Sequence, residues 1–208
     1  MTNTRSTSIQ TPLSLLMGIL SCIILSGCAS MTTVRLNYTP GAYEKPAAAQ
    51  PVELVVTDSR PYVINGKEPA AFIGHVRGGY GNPWGYTTQG KVPLAKQMET
   101  DLTRELAALG FAGSAPGAAR KLNIVISDFN FDGYMDGKFW YEVHVTVRDA
   151  SNAVLSDLTI KDQHFIRGSA RGAHYAIRGQ VPALYDQLIR KMVRENTKIL
   201  QTLKSSGK

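Results

Sequence analysis

The sequence contains only two cysteines among 208 residues, Cys22 and Cys28, and both lie near the N-terminus. The chain beyond Cys28 therefore offers neither a disulfide nor a thiolate metal site. Its four histidines show none of the i, i+2 or i, i+4 pairings that are typical of metal ligands. We predict a fold that rests on side-chain packing, with no metal and no other cofactor.

The chain also lacks a hydrophobic run long enough to cross a membrane as a permanent helix. Its leading apolar run, Leu13–Leu25, has thirteen residues, whereas a spanning helix needs about 20. Arg5 and the free N-terminus place positive charge ahead of this run. A weakly basic start followed by a short apolar run is typical of a secretory signal.

The apolar run ends in Leu25, Ser26, Gly27 and Cys28, which resembles the lipobox of bacterial lipoproteins. This resemblance implies cleavage before Cys28, a diacylglycerol on its sulfur and acylation of the new amine. The small Ser26 and Gly27 would let an extended backbone enter a narrow protease groove. Several acyl chains anchor a protein far more firmly than one. Ala29 stands where an Asp would resemble an inner-membrane retention signal, so the resemblance implies the outer membrane, with the domain facing the periplasm.

No run of five or more basic residues occurs, although the formal net charge is +7. For an exported chain this excludes nucleic acid as the expected partner. Scattered positive charge instead favours contact with anionic lipid or cell-wall polymer. The sequence also lacks the Gly-x-Ser-x-Gly and His-Glu-x-x-His motifs, and no catalytic triad can be recognised. We therefore predict that the protein is not an enzyme.

Composition divides the chain into four segments. We predict a signal peptide at 1–27, a lipidated cysteine with a tether rich in proline and alanine at 28–51, a single domain at 52–204 and a disordered tail at 205–208. Within the tether, the segment 34–38 is a candidate edge strand.

Periodicity predicts an α+β fold. Alternating or β-branched runs predict strands at 52–57, 70–76, 122–131, 139–148 and 154–166. Apolar stripes predict helices at about 92–109 and 181–203, and glycine predicts loops at 77–90 and 168–180. We expect a two-layer sandwich, in which two amphipathic helices cover one face of a mainly antiparallel sheet of about four to six strands.

Two groups of residues are candidate sites. Asp58 and Arg60 follow a predicted core strand, where they could bind a polar ligand or form a local turn and ion pair; we favour the structural interpretation. Tyr80, Trp84 and Tyr86 lie in the glycine-rich segment 77–90. Aromatic side chains on a loop make good partner contacts, but they could equally fold back over an open sheet edge.

One segment partly matches a calcium-binding loop. Acidic, amide and glycine residues occupy positions 1, 3, 5, 6 and 9 of the EF-hand pattern, as Asp128, Asn130, Asp132, Gly133 and Asp136. Phe139 occupies position 12, where a bidentate Glu is required, and strands flank the segment. We interpret it as a strand with a polar face.

The lipobox, the segment 52–61, the helix ending in Leu-Gly-Phe at 109–111 and the strand at 122–131 together resemble the YajG family of bacterial lipoproteins. The aromatic segment 77–90 departs from that family, and the resemblance implies no catalytic residue. We predict an accessory or structural lipoprotein of an envelope assembly, with an envelope protein as partner. The alternative is a periplasmic module that binds lipid, lipopolysaccharide or peptidoglycan fragments.

Overall fold

Three long neighbouring strands dominate the sheet. A computed structural model describes residues 32–42, 49–78, 80–113, 116–168 and 172–205, and one compact unit begins at Thr33. The strands are β1 (Thr33–Val34), β2 (Gln50–Asp58), β3 (Phe72–Arg77), β4 (Pro83–Thr88), β5 (Phe111–Gly113), β6 (Arg120–Gly133), β7 (Gly137–Asp149) and β8 (Val154–Ile166). The helices are α1 (Pro61–Ile64), α2 (Leu94–Ala108), α3 (Ala173–Met192) and α4 (Thr197–Lys204), and a 3₁₀ turn covers Gln89–Lys91.

The long strands β6, β7 and β8 form an antiparallel meander, as the sequence predicts. Along β7 the alternate side chains from Phe139 to Val147 are buried, whereas those between them remain partly exposed. This alternation confirms that one face of the sheet is buried and the other is solvated. Helices α2, α3 and α4 contribute to the same hydrophobic core as the buried face.

The complete sheet is mixed, and in the described residues it has eight strands rather than the four to six expected. Strand β2 pairs in parallel with the first half of β6, and β3 pairs in parallel with its end. Strand β5 extends the sheet beyond β2, and β4 and β1 extend it beyond β3. Parallel neighbouring strands need long crossover connections, so they are distant in the sequence. The prediction of a mainly antiparallel sheet was wrong for β1, β2, β3 and β5, each of which has a parallel neighbour.

The helices differ from the prediction mainly at the C-terminus. Helix α2 lies within the predicted range 92–109, with Pro93 directly before it. The predicted helix 181–203 is in fact two helices, α3 and α4, and α3 begins at Ala173, inside the predicted loop. Asn196 caps the second of these helices, α4, because its side chain accepts a hydrogen bond from the backbone N–H of Ile199, 3.0 Å away.

Two further segments differ from the sequence prediction. The predicted loop 77–90 contains β4, so it forms a hairpin with β3. The compact unit includes part of the predicted tether, because alternate side chains of that segment, Val34, Leu36 and Tyr38, are buried in the core. Of the candidate edge strand at 34–38, Val34 is paired with another strand, as part of β1.

Candidate functional site

The aromatic segment separates into an exposed part and a buried part. Tyr80 lies in the turn between β3 and β4 and is almost fully exposed. Trp84 is half exposed and stacks on His174, with ring centroids 5.2 Å apart and planes 23° apart. Tyr86 is fully buried, and its hydroxyl contacts Nδ1 of His174. Tyr86 is thus corrected from a candidate partner contact to a core residue, whereas Tyr80 and Trp84 remain accessible.

His174 links this hairpin to the first turn of α3. Burial, and then the nearby positive charge of Arg178, lower the pKa of His174. The ring is therefore neutral at neutral pH, so that one of its nitrogens can accept a hydrogen bond from a neighbour. Its stacking on Trp84 and its contact with Tyr86 position the exposed indole at the sheet end.

Asp58 and Arg60 form a buried ion pair between β2 and β3. The fully buried guanidinium of Arg60 donates from Nε and Nη2 to the two carboxylate oxygens of Asp58, at 2.8 and 2.7 Å. It also donates to the backbone carbonyls of Phe72 and Ala70, at 2.5 and 2.9 Å. Burial alone would lower the pKa of Arg60, but the hydrogen bonds and charge of Asp58 together with the interactions of Tyr62 outweigh it, and the pKa is raised. These contacts tie the end of β2 to the start of β3.

Two carboxylates on α2, Asp101 and Glu105, are fully buried and were not predicted from the sequence. Asp101 accepts hydrogen bonds from the Tyr185 hydroxyl at 2.7 Å and from Gln97 Nε2 at 2.8 Å, and it also pairs with Arg104. Burial raises the pKa of Tyr185 well above its ordinary value, so this phenol keeps its proton. The cluster joins α2 to α3.

The second buried carboxylate, Glu105, lies one turn further along α2. The Tyr38 hydroxyl donates to its Oε2 atom, and Nε of Arg194 lies 3.7 Å from its Oε1 atom. Burial raises the pKa of Glu105, although the hydrogen bond from Tyr38 opposes the shift. The sequence does contain a signal of their burial. Asp101 and Glu105 are four residues apart, and each directly precedes a leucine of the apolar stripe of α2, Leu102 or Leu106. Their tyrosine partners, however, lie 84 and 67 residues away in the chain.

A polar cleft of about 670 Å³ opens between the N-terminal segment and α2. Its lining includes two arginines and several amide or hydroxyl side chains, namely Arg35, Asn37, Thr39, Gln89, Gln97 and Arg104. The Arg35 side chain is exposed. Arginines and neutral donors around a cleft favour an anionic ligand.

Each acidic side chain of the calcium-like segment has a protein partner. Asp128 accepts hydrogen bonds from the Tyr62 hydroxyl at 3.0 Å and from Trp140 Nε1 at 2.7 Å. Asp132 pairs with Arg77, and Asp136 accepts the backbone N–H of Gly168 at 2.7 Å. No group of three or more potential His, Cys, Asp or Glu ligands that could hold a metal ion occurs in the described ranges.

The lipobox residues Leu25, Ser26, Gly27 and Cys28 lie outside the described residues. Within the part of the chain that the structure describes, no helix combines the length and apolarity that a membrane span requires.

No family model matches the sequence, and no curated protein is significantly similar to it. A solved Xanthomonas campestris protein assigned to the family DUF330 is 18% identical, with a TM-score of 0.50 over 76% of this chain and 91% of that protein. A PelC dodecamer from Paraburkholderia phytofirmans is 15% identical, with a TM-score of 0.40 over 72% of this chain and 91% of that one.

An uncharacterized lipoprotein B from Nitrosomonas europaea is 11% identical, with a TM-score of 0.36 over 73% of this chain and 87% of that one. TM-scores below 0.5 support no inference about this chain. The similarity to the Xanthomonas campestris protein shows that this chain shares its α+β fold.

Proposed function

We propose that the chain is an outer-membrane lipoprotein of the YajG-like type that faces the periplasm and serves as a non-enzymatic part of an envelope assembly. The observation that carries this proposal is the apolar run Leu13–Leu25, whose last residue begins the lipobox Leu25-Ser26-Gly27-Cys28. A basic start, a short apolar run and a lipobox occur in the order that lipoprotein export uses. Removal of residues 1–27 leaves Cys28 as the single cysteine.

The arrangement of charged groups supports a structural rather than a catalytic role. Within the described ranges, Asp58, Asp101 and Glu105 are each bonded to an arginine or tyrosine that joins two elements of the fold. Catalytic acids and bases usually face a cleft that substrate can enter. These carboxylates are instead used to hold strands and helices together.

Membrane fractionation tests the anchor and its address. We expect the wild-type protein in the outer-membrane fraction, and we expect Cys28→Ser to remain uncleaved at the inner membrane. Ala29→Asp should move the mature protein to the inner membrane while leaving lipidation intact. A wild-type protein in the soluble periplasmic fraction, or one that fractionates identically with Cys28→Ser, would contradict the proposal.

Crosslinking in intact cells tests the role in an assembly. We expect one envelope protein to be recovered with the chain in a fixed ratio, and we expect Tyr80→Ala with Trp84→Ala to lower that ratio if the aromatic hairpin contacts the partner. Val154→Ala with Leu155→Ala is the matched control, because these exposed apolar residues lie at the opposite end of β8. Recovery of lipid or glycan without any protein would contradict an assembly role.

The polar cleft favours a second candidate function, the binding of an anionic envelope ligand. Arg35, which is exposed, and Arg104 both line the cleft. We expect a short-chain phosphatidylglycerol to bind the wild-type protein in calorimetry, and we expect Arg35→Glu to lose that binding while Arg35→Lys retains part of it. Equal affinity of wild type and Arg35→Glu would remove the cleft as the site.

A further inference from the structure

Five strands end in one row at the same end of the sheet. The pairing register runs from Trp84 on β4 to Val76 on β3, to Gly133 on β6, to Gly137 on β7 and to Ile166 on β8. Neighbouring strands lie about 4.8 Å apart, so this row is about 19 Å wide. The β3–β4 and β6–β7 turns both project beyond it.

Large apolar side chains are exposed at this end of the molecule. Of the nine large hydrophobic residues that are exposed in the described ranges, six lie in the two turns, beside the row or in the first turn of α3, with exposed fractions of 48–99%. We call this group the aromatic end: Tyr80, Trp84, Tyr134, Met135, Phe165 and Tyr175. A soluble monomer rarely groups its exposed apolar side chains in this way without a partner surface.

Two exposed basic side chains lie beside the aromatic end. Lys138 is exposed and pairs in register with Phe165, and Arg167 is exposed just beyond the end of β8. The acidic groups nearby have partners, since Asp132 forms an ion pair with Arg77 and Asp136 accepts the backbone N–H of Gly168. Aromatic rings with basic residues beside them are typical of surfaces that enter the headgroup region of a bilayer.

The chain enters the sheet from the same end. Strand β1 is parallel to β4, with Thr33 opposite Thr87 and Val34 opposite Thr88. Since β4 runs away from Trp84, β1 also runs away from the row, and Thr33 is the end of β1 nearer to it. Five peptide units separate Cys28 from Thr33, and this length reaches at most about 17 Å.

The opposite end of the sheet lies beyond that reach. Strand β7 has thirteen residues between the row and the β7–β8 turn, a distance of roughly 40 Å. A bilayer that holds the lipid of Cys28 can therefore meet the aromatic end, whereas an upright molecule with the opposite turn against the bilayer would place Thr33 beyond the reach of Cys28.

We propose that the aromatic end is a membrane-contacting surface, which inserts its rings among phospholipid headgroups beside the lipidated Cys28. This inference rests on the proposed lipid anchor and adds an orientation to it. Attachment through both the lipid and the aromatic end orients the long strands so that they extend away from the bilayer. The polar face of the sheet is then exposed to the periplasm.

The two tryptophans provide a matched test. The lipidated mature protein is reconstituted into phosphatidylethanolamine–phosphatidylglycerol vesicles in which part of the phospholipid carries brominated acyl chains. Trp140→Phe leaves Trp84 as the only indole, and Trp84→Phe leaves Trp140, three residues from the row on β7. We expect bromine to lower Trp84 emission roughly twofold with a shift to shorter wavelength, and to leave Trp140 emission nearly unchanged.

Flotation separates failure of the orientation from failure of the anchor. Protein that floats with the vesicles but shows equal, weak quenching of both indoles would overturn the membrane-contacting surface and leave the anchor standing. Protein that does not float would overturn both.

A second measurement covers the case in which Trp140→Phe unfolds the protein, since Trp140 Nε1 donates to Asp128. The mature chain has no free thiol once Cys28 is acylated, so Met135→Cys and Ser151→Cys can each carry one nitroxide. We expect the label at 135, in the β6–β7 turn, to be shielded from a water-soluble nickel relaxant and the label at 151 to be accessible. Equal accessibility at the two positions would overturn the proposal.

Discussion

At the scale of single residues, Arg60 and Glu105 illustrate two ways of burying a charge. Arg60 is surrounded by acceptors that match its planar donors, so the charged form is stabilised in the interior. Glu105 receives the hydroxyl of Tyr38, but burial still raises its pKa. The first group holds two strand ends together at any ordinary pH, and the second makes the stability of the helix layer depend on pH.

Arg60→Ala should lower the free energy of unfolding by about 3–5 kcal/mol, because it leaves Asp58 and two backbone carbonyls without their donor. Urea denaturation measures this change. Arg77→Ala is the matched control, since the Arg77–Asp132 pair is exposed and should contribute at most about 1 kcal/mol. If Arg60→Ala unfolds no more easily than Arg77→Ala, the pair serves no structural purpose and the polar-site interpretation is favoured.

Glu105→Gln should change how stability depends on pH. The folded state holds the proton of Glu105 more tightly than the unfolded chain, in which a glutamate titrates near pH 4.3. Stability from this group is therefore fully present below about pH 4.3 and is lost as pH rises through the raised folded pKa. We expect the variant to gain stability relative to wild type between pH 4 and pH 7 in urea denaturation, and a constant difference over that range would contradict this account.

At the scale of elements, two glycines occupy opposite kinds of position. Gly74 on β3 has φ +150°, and a Cβ there would lie 2.4 Å from the carbonyl oxygen of Phe131 on β6. Gly179 lies on the exposed side of α3, where a Cβ meets nothing within 4 Å. Close approach of β3 to β6 thus requires glycine, whereas the helix does not.

Gly74→Ala should lower the free energy of unfolding by about 3 kcal/mol or more, because a backbone neighbour must move. Gly179→Ala should raise it by about 0.5–1 kcal/mol, since alanine restricts the unfolded chain and favours helix. Thermal unfolding of the two variants beside wild type measures both. Shifts of the same sign would show that the β3–β6 approach is looser than described.

Asn196 determines where the last helix begins. Asn196→Ala should cost about 1 kcal/mol and speed hydrogen exchange at the amide of Ile199, because that N–H loses its acceptor. Asn196→Asp keeps an acceptor and should retain most of the protection. Unchanged exchange in Asn196→Ala would mean that burial of Ile199 and Leu203 alone defines α4.

The sequence predicted the elements whose side chains alternate clearly between core and solvent. Strand β7 and helix α2 are of this kind, since each presents one continuous apolar face. Strand β4 was missed because Pro83 and Gly85 interrupt a segment in which only Tyr86 and Thr88 are buried. The start of α3 was missed because Gly179 and Pro182 oppose helix in isolation, and packing against the core overrides them.

The buried contacts between distant residues could not be read from the sequence. Tyr38 and Glu105 are 67 residues apart, and Tyr185 and Asp101 are 84 apart. The sequence did contain Asp58 and Arg60 as a local pair, because both partners lie within one turn. Contacts between residues close in the sequence were therefore predictable, whereas contacts that the fold creates between distant residues were not.

At the scale of the whole molecule, the fold places its two ends in different surroundings. The end at which the chain enters β1 carries exposed aromatic rings and basic side chains, and the long strands lead away from it. The cleft beside Arg35 and the solvated sheet face remain accessible in this orientation. An anionic ligand of the cleft would thus meet the protein on a surface away from the bilayer.

The central claim is that Cys28 becomes the lipidated N-terminus of the mature protein. Mass spectrometry of the protein purified from membranes tests this most directly. We predict a mature chain of 181 residues, which begins at Cys28 and carries the added mass of a diacylglycerol and an N-linked acyl chain, and we predict that these adducts are absent from Cys28→Ser. A mature chain that begins at another residue, or that carries Cys28 as an unmodified thiol, would contradict the account.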